Sequence, residues 1–156
     1  MKIIHATPGM GAPMDEQELR NFLSTSKQNC RLGTVDELGD PNVHPVWFIY
    51  EPRSEKIYIN TNVDSRKIAN VRKRDTVYFC IDDEAMPVKG VKGKGKTKIS
   101  ENPKDNLPIV EKIMIKYLGS VDHPTARSIL ETVKSGKSIL LEISPSYFST
   151  WDFGKY

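Results

Sequence analysis

Six runs of the chain carry the apolar and polar spacing of β-strands: 29–35, 43–50, 56–61, 76–81, 89–99 and 138–148. Four others carry helical spacing. Over 15–24, Leu19, Phe22 and Leu23 share one face, and Asp15-Glu16-Gln17-Glu18 suits a first turn. Residues 65–74 form a second amphipathic stretch. Over 106–118 the stripe is Ile109, Val110, Ile113, Met114 and Tyr117, and over 125–134 it is Ile129, Leu130 and Val133. The first three strands are joined only by turns, so they should pair as an antiparallel meander. A parallel doubly wound sheet needs a crossover helix after nearly every strand, and this chain has too few. A mostly β, α+β architecture follows: an antiparallel barrel, closed or partly closed to limit its free edges, with helices packed outside.

Residues 1–14 hold two Pro and two Gly and read as an N-terminal arm, which leaves 15–156 as a single domain. A chain of 156 residues can bury a real core, and 38% apolar with 28% charged residues suits a soluble globular protein. No apolar run approaches the length of a membrane span. The N-terminus lacks the pattern of a signal peptide, so a cytoplasmic location is expected. Cys30 and Cys80 lie far apart within apolar stretches and have no zinc-site spacing. They read as small buried hydrophobes, and no metal is expected. A net charge of +3 does not by itself announce nucleic-acid binding.

The chemistry concentrates at Asn60-Thr61-Asn62-Val63-Asp64-Ser65-Arg66-Lys67, where a strand ends and a helix begins. Asp64 or Ser65 suits the N-cap. Arg66 and Lys67 then fall in the first helical turn, which already carries partial positive charge. Cations, free N–H groups and hydroxyls gathered there point to a bound anion, most simply a phosphate. The competing reading is two solvated charges on a surface helix.

Gly90-Val91-Lys92-Gly93-Lys94-Gly95-Lys96-Thr97 matches the P-loop pattern letter for letter. That motif works only between a buried strand and a helix, and Lys98-Ile99-Ser100-Glu101-Asn102-Pro103 is not an amphipathic helix. The segment reads better as a strand. Lys92, Lys94, Lys96 and Lys98 would then point to one side, and Val91, Gly93, Gly95, Thr97 and Ile99 to the other. The lysine side is either a solvated face that blocks edge pairing or a surface for an anionic ligand. It lacks interleaved aromatics, which argues against nucleic acid. The small side leaves room for another backbone, a flat ligand or a second subunit.

Taken in order, Asn42 to Phe48, Ile57 to Thr61, Ser65 to Val71, Val77 to Asp82 and Val91 to Thr97 resemble the pyridoxamine 5′-phosphate oxidase-like proteins, the flavin-binding split barrels. The resemblance implies a six-stranded antiparallel Greek-key split β-barrel with peripheral helices. It also implies a homodimer with flavin mononucleotide (FMN) at two interface sites. Pro45, Val46 and Trp47 would lie against the flavin ring. Asn60 and Thr61 would contact the ribityl chain or phosphate, and Ser65, Arg66 and Lys67 would hold the phosphate. Lys92 lies on the strand that approaches the cofactor from the partner subunit. Trp151 would cover the ring or, alternatively, anchor the C-terminus.

The tail after Phe148 has no arginine, unlike true pyridoxamine phosphate oxidases, so vitamin B6 oxidation is not expected. The flavin would carry the redox chemistry, and no catalytic acid or base stands out. The implied function is an FMN-dependent oxidoreductase acting on a small molecule. The alternatives are a reductase using 8-hydroxy-5-deazaflavin, whose acidic tail suits the lysine stripe, and a non-catalytic flavin carrier.

Overall fold

The computed structural model describes residues 1–155. Eight strands and four helices follow the order β1 (Ile3–His5), α1 (Glu16–Thr25), β2 (Cys30–Val35), β3 (Pro41–Val46), β4 (Ile49–Glu51), β5 (Lys56–Asn62), α2 (Arg66–Lys73), β6 (Thr76–Asp83), β7 (Lys89–Ser100), α3 (Pro103–Leu118), α4 (Pro124–Lys134) and β8 (Ser138–Asp152). All six strand runs and all four helical stretches form where the pattern puts them, within a few residues. Helix α1 opens on a capping box in which Asp15 Oδ1 accepts from the Glu18 amide at 2.8 Å and Glu18 Oε2 accepts from the Asp15 amide at 2.8 Å. Helix α3 begins at Pro103, before the expected residue 106. Asn102 caps it, and proline at the first helical position loses no needed donor.

The sheet runs β3-β2-β6-β7-β8-β5-β4, with every pair in this path antiparallel, and β1 adds parallel to β8. The expected run 43–50 is one stretch of chain but two strands. β3 pairs with β2, β4 pairs with β5, and the switch falls at Trp47-Phe48. The two ends of the sheet are therefore joined by covalent chain, not by a ladder, which makes the barrel split. This corrects six strands to eight, with β1 the other addition. Residues 1–14 are laid along β8: Ile3–His5 pairs with it, and Ala12 bridges to Asp152.

Two apolar layers hold the fold. One fills the barrel with Leu23, Leu32, Phe48, Ile59, Phe79 and Phe148, all nearly inaccessible. The other lies outside it, where Val110, Ile113 and Met114 of α3 and Leu130 of α4 meet Leu140 and Trp47. β8 serves both: Ile139 and Leu141 face inward while Leu140 faces the helices. This is why Ile139-Leu140-Leu141 shows no alternation.

Residues 90–97 lie within β7, so the P-loop look-alike is a strand, as its context required. Its lysine side is the exposed one. Its small side is already full, which corrects the expectation of room for a second subunit or a flat ligand. A Cβ on Gly93 would strike the Phe79 ring and meet the Tyr147 carbonyl oxygen at 2.5 Å. One on Gly95 would come within 2.8 Å of Ile143 Cγ2. Among the described residues no helix is long and apolar enough to cross a membrane.

Candidate cofactor site

Between the barrel wall of β3 and β5 and the helices α3 and α4 lies a cleft of about 350 Å³. Six of the residues singled out in the sequence line it: Pro45, Val46, Trp47, Asn60, Thr61 and Lys67. Pro45 and Val46 are the last residues of β3 paired with β2, and Trp47 follows where the barrel splits. Ile113 and Met114 of α3 and Ile129 of α4 form the opposite wall. One wall is thus a flat aromatic and proline surface, and the other is aliphatic.

The remaining end is polar and positive. Lys67 Nζ donates to Thr61 Oγ1 at 3.0 Å, and Thr61 Oγ1 shares a 3.2 Å hydrogen bond with Ser65 Oγ. Ser65 is the N-cap of α2, yet its hydroxyl caps no helix amide. The Ile68 amide is taken by the Ser65 carbonyl at 3.1 Å, so the Arg66 and Lys67 amides are the first-turn donors left open. Lys67 is half-buried, and burial lowers its pKa. Among the described residues no carboxylate pairs with it. A desolvated ammonium beside open helix donors is electrostatically incomplete without an anion. Asn60 Nδ2 is spent on Ser138 Oγ at 3.1 Å and the Ile139 carbonyl at 3.2 Å, which fixes the amide at the cleft edge.

Behind this end, the buried Asn70 donates to Thr34 Oγ1 at 2.9 Å, and Thr34 Oγ1 meets His44 Nε2 at 3.0 Å. Burial, and then the neighbouring Lys67 charge, lower the His44 pKa, which favours the neutral ring at neutral pH.

Three residues lie elsewhere. Arg66 is exposed and lines a separate small depression with Glu37, Asn70 and Lys73. Lys92 lines a groove on the sheet's outer face with Val43, Tyr78 and Cys80. Trp151 packs across Gly90, where its ring takes the space a Cβ would need.

The sequence reading missed the helical wall and what holds it. Tyr117 stacks on Trp47 with ring centroids 4.9 Å apart and planes 5° from parallel. Lys116 Nζ lies 3.6 Å from the Phe48 ring centroid and donates to the Phe48 carbonyl at 3.2 Å. Their helical spacing marked this face as core, and nothing in one sequence pairs it with Trp47.

Lys116 has a measurable consequence. Burial pushes its pKa from 10.5 down to about 8, the cation–π contact notwithstanding. Between these values the unfolded chain holds a proton that the folded chain has lost, so Lys116 makes stability rise with pH there. Cys30 and Tyr117, whose pKa values burial raises to about 12, work in the opposite direction at alkaline pH. Comparing the urea midpoint of wild type with Lys116→Met removes most of the contribution of those groups, Cys30 being only secondarily coupled to Lys116. The difference should be flat below about pH 8 and shift in favour of wild type up to about pH 10.5. A difference independent of pH would mean that the amine titrates normally.

The fold that carries this cleft is a split β-barrel with peripheral helices. The chain belongs to the pyridoxamine 5′-phosphate oxidase family, whose model matches residues 15–152. Solved structures agree on the fold. A conserved hypothetical protein from Mycobacterium tuberculosis superposes with a TM-score of 0.78 at 21% identity, covering 94% of this chain and 89% of that one. An F420 reductase gives 0.64 at 20% identity, covering 81% and 93%. HutZ, the heme storage protein from Vibrio cholerae, gives 0.65 at 15% identity, covering 84% and 89%. No curated protein matches the chain in sequence.

Proposed function

We propose that the chain is a flavin-binding oxidoreductase acting on a small molecule, with FMN as its cofactor and a deazaflavin as the alternative. The observation that carries this reading is the meeting, in one cleft, of the Pro45–Trp47 wall with the Lys67 ammonium and the open N-terminus of α2. A volume of about 350 Å³ falls within the ordinary range of cofactor clefts.

Bound flavin supplies a ring that accepts or gives up two electrons with a hydride. Pro45, Val46 and Trp47 orient that ring by flat contact. Asn60 and Thr61 line the path from the ring toward the phosphate end. Lys67 and the α2 amides hold the phosphate, the uncapped Ser65 hydroxyl adds a donor, and Arg66 adds a second positive charge on the same turn. Ile113, Met114 and Ile129 keep water from the opposite side. The F420 reductase of the same fold supports the deazaflavin alternative, since F420 is a deazaflavin. The two cofactors share a phosphate, so Lys67 serves either. Hydride turnover with a nicotinamide donor on the flavin-loaded protein is expected. A protein that holds flavin without any turnover is instead the carrier.

The reading includes a homodimer acting in the cytoplasm. The outer face of β2, β3, β6 and β7 leaves Val43 69% and Tyr78 54% exposed, and grooves on either side of them share this face. Lys92 lines one of these grooves, and in this reading it serves the cofactor of a second copy. A symmetric dimer burying more than about 2,000 Å² is expected. Light scattering that gave a flavin-loaded monomer at micromolar concentration would contradict it.

A further inference from the structure

We infer that Tyr117, on the last turn of α3, is a positioning residue for the cofactor: it sets the angle of the Trp47 wall without touching the ring site itself. The inference rests on the flavin reading above. Trp47 stands where β3 has left β2 and β4 has not yet joined β5, so no ladder fixes its backbone there. Two hydrogen bonds to Phe48 and a ring stack on Trp47, all from α3, stand in for the missing ladder. Tyr117 Oη accepts from the Phe48 amide at 3.4 Å and donates to the Gln28 carbonyl at 2.9 Å. Lys116 Nζ closes the same junction from the other side through the Phe48 carbonyl at 3.2 Å. The Tyr117 ring then lies parallel to Trp47 at 4.9 Å. Tyr117 does not line the cleft, whereas Ile113 and Met114 of the same helix do. One helix therefore supplies one wall of the cleft and fixes the other, and the distance between them follows the seating of α3.

If Tyr117 acts through Trp47, its loss falls on the ring end of the ligand and spares the phosphate end. Tyr117→Leu should weaken FMN and riboflavin by the same factor, about two- to tenfold, the value of an aromatic pair. It should also alter the visible circular dichroism of bound flavin. Tyr117→Phe keeps the stack but drops both hydroxyl contacts. It should restore the dichroism and most of the affinity, with about a twofold equal loss for the two ligands remaining. In Trp47→Leu, adding Tyr117→Leu should cost nothing more, because the residue it acts through is gone.

Wild-type affinity and dichroism in both Tyr117 variants would overturn the inference and leave the flavin reading intact. Additive losses in the double variant, or a loss for FMN alone, would overturn it as well. If Tyr117→Leu does not fold, Tyr117→Phe decides: an equal small loss supports the inference, and wild-type affinity for both ligands overturns it. A wild-type protein that binds neither ligand would remove the flavin reading and this inference together.

Discussion

Lys67→Met should weaken FMN about ten- to hundredfold and leave riboflavin where it was. The amine is half-buried, its only hydrogen-bond partner among the described residues is the Thr61 hydroxyl, and it stands beside the open terminus of α2. A charge-assisted contact to a phosphate in such a place is worth roughly 1.5–3 kcal/mol, which sets that range. Riboflavin has no phosphate and cannot report the loss. Methionine keeps the packing of the lysine stem, and the apo fold is relieved of an unpaired, partly desolvated charge. The apo protein should therefore be as stable as wild type or slightly more so. Arg66→Ala is the control. Arg66 is exposed, so solvent and salt screen it, and its loss should cost FMN well under tenfold. If Arg66→Ala proved more damaging than Lys67→Met, the phosphate would lie on the Glu37 side of the helix. Equal losses for FMN and riboflavin would mean that Lys67 does not read the phosphate.

The largest effect on stability is expected at Gly93. In the register β6-β7-β8 it pairs with Phe79 on one side and Phe148 on the other. Those two rings meet edge to face, 6.0 Å between centroids, in the barrel core. Any side chain at Gly93 must displace the Phe79 ring and the Tyr147 carbonyl, and the latter is backbone held in the sheet. Overpacking a tight core costs about 1–3 kcal/mol, and here neither obstacle is the free end of a flexible chain. Gly93→Val should lose about 3 kcal/mol or more, seen as a fall in the urea midpoint with unchanged slope. Gly39→Ala, at a turn with nothing within 4 Å, meets only the strain of its positive φ and should lose less. A Gly93→Val chain as stable as wild type would mean that the small side of β7 has slack after all.

Most of the fold was legible because most strands read as alternation and the helices as stripes. What escaped depends on partners far away in the chain. Val43 to Tyr50 carries no turn residue at its middle, and Val46 to Tyr50 is continuously apolar, so nothing local marks Trp47-Phe48 as the split. The break exists because β2 claims one end of the run and β5 the other. β1 escaped because Met1 to Met14 looks like an arm. Its three residues become a strand only because β8 runs on past its pairing with β5, which ends at Ile143, and offers a free edge at Phe148 to Thr150.

The candidate site shows the same division. Its phosphate end was legible, since a strand end, hydroxyls and cations at a helix start are local signals. The choice between Arg66 and Lys67 was not. Neighbouring positions on a helix point about 100° apart, and only the packing of α2 turns Lys67 toward Thr61. The glycines of β7 were read correctly as marking a close approach. The approaching groups are the chain's own Phe79, Ile143 and Trp151.

The most direct test of the central claim is the visible absorption spectrum of the purified protein titrated with FMN, riboflavin and a deazaflavin, in wild type and Lys67→Met. A flavin chromophore should bind in a one-to-one ratio with the chain, the phosphate-bearing cofactors should be held far tighter than riboflavin, and that preference should collapse in Lys67→Met. A protein that binds none of the three, or that takes up heme and shows a Soret band in their place, would contradict the central claim.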